Sequence, residues 1–304
     1  MVARQRAGQR EMTELQSYER RIRELAPDLA IGSVSLNQDG LMNDVVIVNE
    51  EIIFRFPKHE YARRHLKDEG NILRLLQKHL TLEIPRPLFA SGEVLSYRLI
   101  HGEPLRRDML LRLAAADQQI VADQLAQFFK ELHAVPVDES HGFELPLADA
   151  LMDREGWLDA YARIRAKVFP LLQAHARAWA TEHFDSHLND ESNFEYELKM
   201  VDTDIGPYHI LFDRQRRRIN GVIDFGCAGL GDPAIDFGVV INTYGESFLR
   251  RFYQIYPAAE EYLKRARFYA GAIELRWLLT GIERNDPTWF AVHVGTAKDF
   301  GYND

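Results

Sequence analysis

Two short segments hold the residues whose types and spacing could do chemistry. The first is Val201-Asp202-Thr203-Asp204-Ile205-Gly206-Pro207-Tyr208-His209-Ile210-Leu211-Phe212-Asp213. The second is Val222-Ile223-Asp224-Phe225-Gly226, followed by Gly231-Asp232-Pro233-Ala234-Ile235-Asp236-Phe237. A polar loop carrying one carboxylate leads into a short strand, and a hairpin returns as an apolar strand that ends in a second carboxylate. The tight return aims Asp204 and Asp224 at one place. Phosphoryl transfer needs that arrangement: one acid to orient a nucleophile, another to hold the metal that neutralises the phosphates.

The elements that must position these acids follow from periodicity. Leu15, Tyr18, Ile22 and Leu25 recur at helical spacing, which predicts an amphipathic helix over 11–25. Strands are expected at Val34–Leu36, Val45–Val48 and Ile52–Phe56, separated by the turns Gln38-Asp39-Gly40 and Asn49-Glu50-Glu51, and at Ser96–Ile100. A helix is expected over 61–80, with Gly70 in its middle an objection worth ~1 kcal/mol against Ala. After Gly102-Glu103-Pro104 the sequence turns to long helices, 109–116, 118–134 and 157–183, and it is helical again from Asp236. A sheet with one helix followed by mostly helix predicts an α+β fold in two lobes, residues 1–102 and 103–304.

Bulk composition narrows the class. The 304 residues are 46% hydrophobic and 27% charged, so disorder is not expected. The formal net charge of −9 speaks against nucleic-acid binding and suits a cationic small molecule. A single cysteine, Cys227, permits neither an internal disulfide nor a cysteine-based zinc site and points to a reducing compartment. There is no apolar core of a signal peptide behind the basic amino terminus and no run of ~20 apolar residues. The expectation is a cytoplasmic protein with no membrane partner.

Asp-Phe-Gly alone is a common turn, but the joint pattern closely resembles the aminoglycoside phosphotransferase family of the protein-kinase-like fold. That family's pattern is H-x-D-x-x-x-x-N, then D-F/W-x, then G-D-P-x-x-D. The form Tyr208-His209-Ile210-Leu211-Phe212-Asp213 is most similar to the aminoglycoside 2″-phosphotransferase branch, where a His can stand in the Asn position. The resemblance covers most of the chain and implies a small antiparallel-sheet lobe for the nucleotide, a mostly helical second lobe and a monomer. It implies Asp204 as the catalytic aspartate, Asp224 as the ligand of Mg²⁺, and His209 at the second metal position. Imidazole suits Mg²⁺ less well than an amide oxygen. The family's His before the catalytic Asp is here Asp202, which implies either a tolerated change in loop bracing or a weakened enzyme.

The same resemblance places Arg55 where kinases keep the strand lysine that meets the phosphates, and Glu69 where a helix glutamate pairs with it. Arginine's fork suits phosphate. Asn37, Asp39 and Gly40 fall in the turn where a phosphate-covering loop belongs, although it has one glycine and no G-x-G-x-x-G. No G-x-x-x-x-G-K-[ST] occurs anywhere, which argues against a P-loop enzyme. Arg98 and Ile100 fall where backbone groups meet the base edge. Tyr97 takes the gatekeeping position, where a bulky ring makes GTP a candidate donor beside ATP.

A polycationic aminoglycoside would call for carboxylates. Asp232, Glu246, Glu274 with Trp277, and Glu283-Arg284-Asn285-Asp286 are the candidates. Asp232 and Asp236 also suit tying down the catalytic loop and opening the next helix, and Trp277 and Trp289 equally suit core positions. The fold serves macrolide, choline and sugar-amine acceptors too. The rival of another class is a nucleotide-binding pseudokinase, marked by Asp202 and His209.

Overall fold

A computed structural model describes residues 2–38, 40, 42–137, 143–148 and 150–285, with residues 2–13 as backbone alone. The chain divides into two compact units. One comprises Met1–Lys78 with Ile84–His101, the other His79–Glu83 with Gly102–Asp304.

The first unit is a five-stranded antiparallel sheet in the order β1-β2-β3-β5-β4, with β1 Val34–Asn37, β2 Asn43–Val48, β3 Ile52–Pro57, β4 Pro87–Ala90 and β5 Leu95–Arg98. The β2–β3 hairpin turns through Asn49-Glu50-Glu51 between the paired Val48 and Ile52; Asn49 and Glu50 are left-handed (φ 55° and 57°), and the Glu51 N–H donates to the Val48 carbonyl at 3.0 Å. Alternation along β3 divides its side chains between two helices. Phe54 and Phe56 enter a core with Ile22, Val46, Val48 and Val94, to which α1 (Val2–Leu25) contributes Ile22 and the Tyr18 ring stacked 4.8 Å from Phe56. Arg55 points the other way, to α2 (Glu60–Leu76).

The second unit is mostly helical. α3 Arg107–Arg112 and α4 Ala115–His133 lead to α5 Arg154–Lys167 and α6 Ala174–Leu188; α7 Ala234–Tyr244, α8 Glu246–Leu249 and α9 Leu263–Arg284 follow. The single helix expected over 157–183 is two helices. Pro170 opens a 3-10 turn at Phe169–Leu171, because its ring clashes with the preceding turn and it has no N–H to donate. Two small sheets complete the unit: β6 Glu103–Pro104, β8 Ile210–Asp213 and β9 Arg218–Val222 in the order β6-β8-β9, and β7 Lys199–Val201 against β10 Gly229–Gly231. Trp157, Phe128, Phe129, Phe184, Phe225, Phe237 and Phe252 are fully buried among these elements. No described helix is long and apolar enough to cross a membrane.

Candidate active site

In the helical unit the chain leaves β7 at Val201, passes Asp202-Thr203-Asp204, and enters β8 at Ile210. β9 returns antiparallel to β8 with Ile210 opposite Val222. The next N–H, of Ile223, donates to the His209 carbonyl at 2.9 Å, which sets Asp224 beside His209. The His209 ring then lies between the two acids: Nε2 is 3.8 Å from Asp224 Oδ2 and Nδ1 is 3.9 Å from Asp204 Oδ2. The Asp204 and Asp224 side chains are 49% and 42% exposed, open to a substrate. Hydrogen bonds from the Gly206 N–H (2.7 Å) and His209 Nδ1 (2.7 Å) converge on the Asp204 carbonyl and shape the loop.

Both acids depend on strained backbone. Thr203 (φ 68°) and Asp224 (φ 67°) are left-handed, and a β-branched threonine there is a genuine outlier. Such residues cost of order 1–3 kcal/mol each and persist only where neighbours over-determine them. Here the neighbour is Asp236 on α7, buried, whose Oδ1 accepts the N–H of Thr203 (2.8 Å) and of Asp202 (3.2 Å). Its Oδ2 meets His133 Nε2 at 2.9 Å, and His133 Nδ1 lies 3.2 Å from the Tyr256 hydroxyl. Asp236 thus ties down the loop. His133 escapes sequence reasoning because a lone histidine at the end of an apolar helix reads as a core residue.

Asp202 is fully buried. Its Oδ1 accepts the Asp204 N–H at 3.2 Å. Burial first, then the charges of Asp236, Asp204 and Asp224, push its carboxyl well above the usual carboxylate range.

The donor set fits Mg²⁺ in the manner of nucleotide-dependent sites, with one or two protein groups and the rest from phosphates and water. Asp224 offers the hard oxygen. With Nδ1–H donated to the Asp204 carbonyl, His209 would direct its Nε2 lone pair to the Asp224 side. Among the described residues no cluster of three or more His, Cys, Asp or Glu side chains could hold a metal by itself.

In the sheet unit Arg55 and Glu69 form a buried ion pair, Nη1 to Oε1 at 2.6 Å, with side chains 8% and 1% exposed. Gly70 is explained by the same packing: a Cβ there would lie 2.8 Å from the Ala90 Cβ, so glycine lets α2 sit close on β4. In the β1–β2 turn, Asn37 and Gly40 are exposed and Asp39 lies outside the described residues, as do Asp286 and Trp289. Lys58, which the sequence did not single out, clasps the turn by donating to the carbonyls of Gln38 (2.6 Å) and Gly40 (2.5 Å). Asp44 accepts from Tyr18 (2.5 Å) and Gln38 (3.3 Å) behind it. Tyr97 is buried in β5 opposite Ile53, Arg98 is exposed at the strand's end, and the following Leu99 N–H donates to the Glu51 carbonyl at 2.7 Å before the chain reaches buried Ile100.

The candidate substrate acids differ sharply in their surroundings. Asp232 is fully buried, holds Arg265 with two bonds (2.7 and 3.0 Å), and accepts from Tyr269 (3.1 Å) and from the Ala234 N–H at the start of α7 (3.0 Å). That carboxylate is a structural brace. Glu246 pairs with Arg250 (2.6 Å) and Arg267 (2.7 Å), and Arg267 above all holds its carboxyl down at about 2. Glu283 pairs with Arg163 and Lys167. Glu274 is different: it is 7% exposed, takes one hydrogen bond from Asn242 (3.0 Å), and burial pushes its carboxyl up to about 6. Trp277 lies one turn further along α9, half-buried. On α7 the next residue after Asn242, Thr243, has its Oγ1 4.0 Å from where a Gly206 Cβ would be.

Residues 33–269 match the family described as the phosphotransferase enzyme family. Viomycin phosphotransferase of Streptomyces vinaceus is 27% identical over 242 residues, 75% of this chain and 79% of that protein. The structure of the GDP complex of wild-type aminoglycoside 2'-phosphotransferase-IIIa superposes with a TM-score of 0.83 at 26% identity, covering 93% of this chain and 97% of that one. A GDP and kanamycin complex of an aminoglycoside phosphotransferase gives 0.81 at 26% identity and the same coverage. The α+β two-lobe fold expected from the sequence is the fold of these proteins.

Proposed function

The chain belongs to the phosphotransferase enzyme family, and we propose that it transfers the terminal phosphoryl group of ATP or GTP to a hydroxyl of a small, cationic, aminoglycoside-like acceptor. One observation carries the reading: Asp204 and Asp224, both open to solvent, are held on braced, strained loops with His209 between them. Asp204 accepts the proton of the attacking hydroxyl and aims it. Asp224, with His209 directly or through water, holds Mg²⁺, which when bound neutralises charge on the phosphates. Arg55, kept in place by Glu69, meets the phosphates; the turn at Asn37, Asp39 and Gly40 covers them; the backbone at Arg98 and Ile100 takes the base beside Tyr97. Residues 1–102 serve the nucleotide and 103–304 the acceptor, in a monomer of the cytoplasm.

The acceptor's charge is read from Glu274. Asp232, Glu246 and Glu283 already have cations, whereas Glu274 is buried on a neutral amide. An ammonium group would complete it, with Trp277 one turn away. GDP bound in two of the similar structures supports GTP as a donor.

A coupled assay of ADP or GDP release across kanamycin, a macrolide and choline tests the reading. Turnover with kanamycin that drops by about 10²–10⁴-fold in Asp204→Ala is expected. Full turnover in that variant refutes the role of Asp204. Nucleotide binding with no turnover on any acceptor would instead favour the pseudokinase, and turnover on the macrolide or choline alone would move the acceptor class.

A further inference from the structure

Asp202 has no part in the roles above, and its surroundings are wrong for an anion. The side chain is fully buried; Oδ1 accepts the Asp204 N–H, while Oδ2, also buried, has no hydrogen-bond partner among the described residues. The charges that act on it most strongly are all acids: Asp236 on α7, Asp204 on its own loop and Asp224 beyond β9. His133 of α4 reaches only Asp236, and its other ring nitrogen is engaged by Tyr256 of the segment between α8 and α9. No Lys or Arg pairs with Asp202 among the described residues.

We propose that Asp202 is a positioning residue that works as a neutral carboxylic acid, its carbonyl oxygen orienting the Asp204 backbone while its proton keeps a further negative charge out of the loop. An ionised carboxylate buried without a cation or a full set of donors costs several kcal/mol, and such a group takes up a proton instead. Burial and the three neighbouring acids all push in that direction. A carboxylic acid, like a neutral imidazole, offers one donor and one acceptor, and the unpartnered Oδ2 is the oxygen that would carry the proton. An anion there would oppose the ionisation of Asp204 and repel nucleotide phosphates. The inference about positioning rests on the proposed role of Asp204; the protonation does not.

The test therefore has two independent arms. Infrared difference spectra of wild type minus Asp202→Asn at neutral pH should show the C=O stretch of a buried protonated carboxyl. In urea titrations between pH 5 and 7, the wild-type folding equilibrium should weaken about tenfold per pH unit relative to Asp202→Asn. The native wild type keeps a proton that the unfolded chain releases, and the amide variant has none to lose. Absence of the band together with parallel pH curves overturns the neutral acid. In the kinetic arm, Asp202→Ala should lower kcat by about 10²-fold with the nucleotide KM unchanged, and Asp202→Asn should recover most of that loss. Equal kcat in wild type and Asp202→Ala overturns the positioning role, as does an equal loss in both variants. If wild type turns over no acceptor, the functional reading fails, while the spectra and titrations still decide the proton.

Discussion

The Asp236 carboxylate accepts the Thr203 N–H at 2.8 Å, and through that bond α7 dictates the left-handed turn that presents Asp204. The same carboxylate takes the Asp202 N–H and is itself held by His133. A buried residue thereby sets where the Asp204 carboxylate, the proposed catalytic group, stands.

Replacing Asp236 by Ala should accordingly cost both stability and rate. Two buried N–H groups lose their acceptor and His133 Nε2 loses its partner, at about 1–3 kcal/mol per orphaned group. With Thr203 free to relax from φ 68°, Asp204 drifts, and kcat should fall about 10²-fold. Urea midpoints and steady-state kinetics check this; nucleotide affinity measured by calorimetry should hardly move.

Glu274 gives the pH dependence. Its carboxyl is raised from 4.5 to about 6, so the folded protein binds more protons than the unfolded chain in that window. Stability contributed by the protonated form is full below the unfolded value and is lost as pH rises through about 6, amounting to about 2 kcal/mol. Glu274→Gln should remove this contribution from the urea stability curve and leave that of Asp202 in place. In the proposed reading an ammonium-bearing acceptor would bind the ionised form, so its KM should rise as pH falls below about 6 in wild type. In Glu274→Gln that KM should be higher throughout, by about tenfold, and insensitive to pH in this range.

What the sequence made legible was whatever local rules govern. Asn49 and Glu50 announce a tight turn, and alternation in Ile53-Phe54-Arg55-Phe56 announces a half-buried strand; both elements are where the pattern puts them. The hairpin that joins His209 to Asp224 follows from the same kind of reading. What stayed hidden depends on partners distant in sequence. Gly70 looks like a defect until Ala90 lies against it. His133 looks like a core residue until Asp236 meets it. Asp232 passes for a substrate acid until Arg265, on a helix far along the chain, takes both its oxygens. Pro170 stands inside the span expected as one helix, and it is the break between two.

Gly70→Ala separates propensity from packing. In an exposed helix interior the change would gain ~1 kcal/mol. Here the new methyl meets Ala90 Cβ at 2.8 Å, a contact with no flexible end to move aside. Overpacking of this kind costs about 1–3 kcal/mol, so the variant should be less stable in urea than wild type. Because α2 must shift to relieve the clash, Glu69 moves with it, and nucleotide affinity should drop as well.

The Arg55–Glu69 pair allows structure and function to be told apart. Removing one partner, as in Glu69→Ala, strips the buried Arg55 guanidinium of this carboxylate and should cost about 3–5 kcal/mol. Replacing both, as in Arg55→Met with Glu69→Leu, removes the desolvated charges together and should recover most of that stability. If Arg55 serves only the fold, the double variant will bind nucleotide like wild type. If it meets the phosphates, the double variant will be folded and stable yet bind ATP and GTP more weakly by about 10²-fold, since a charge-assisted contact worth about 1.5–3 kcal/mol is gone. Calorimetric titration of the double variant against the folded, unperturbed wild type reads this directly. Arg55→Lys adds the geometric check: it keeps the charge but loses the planar fork, and should fall between the two.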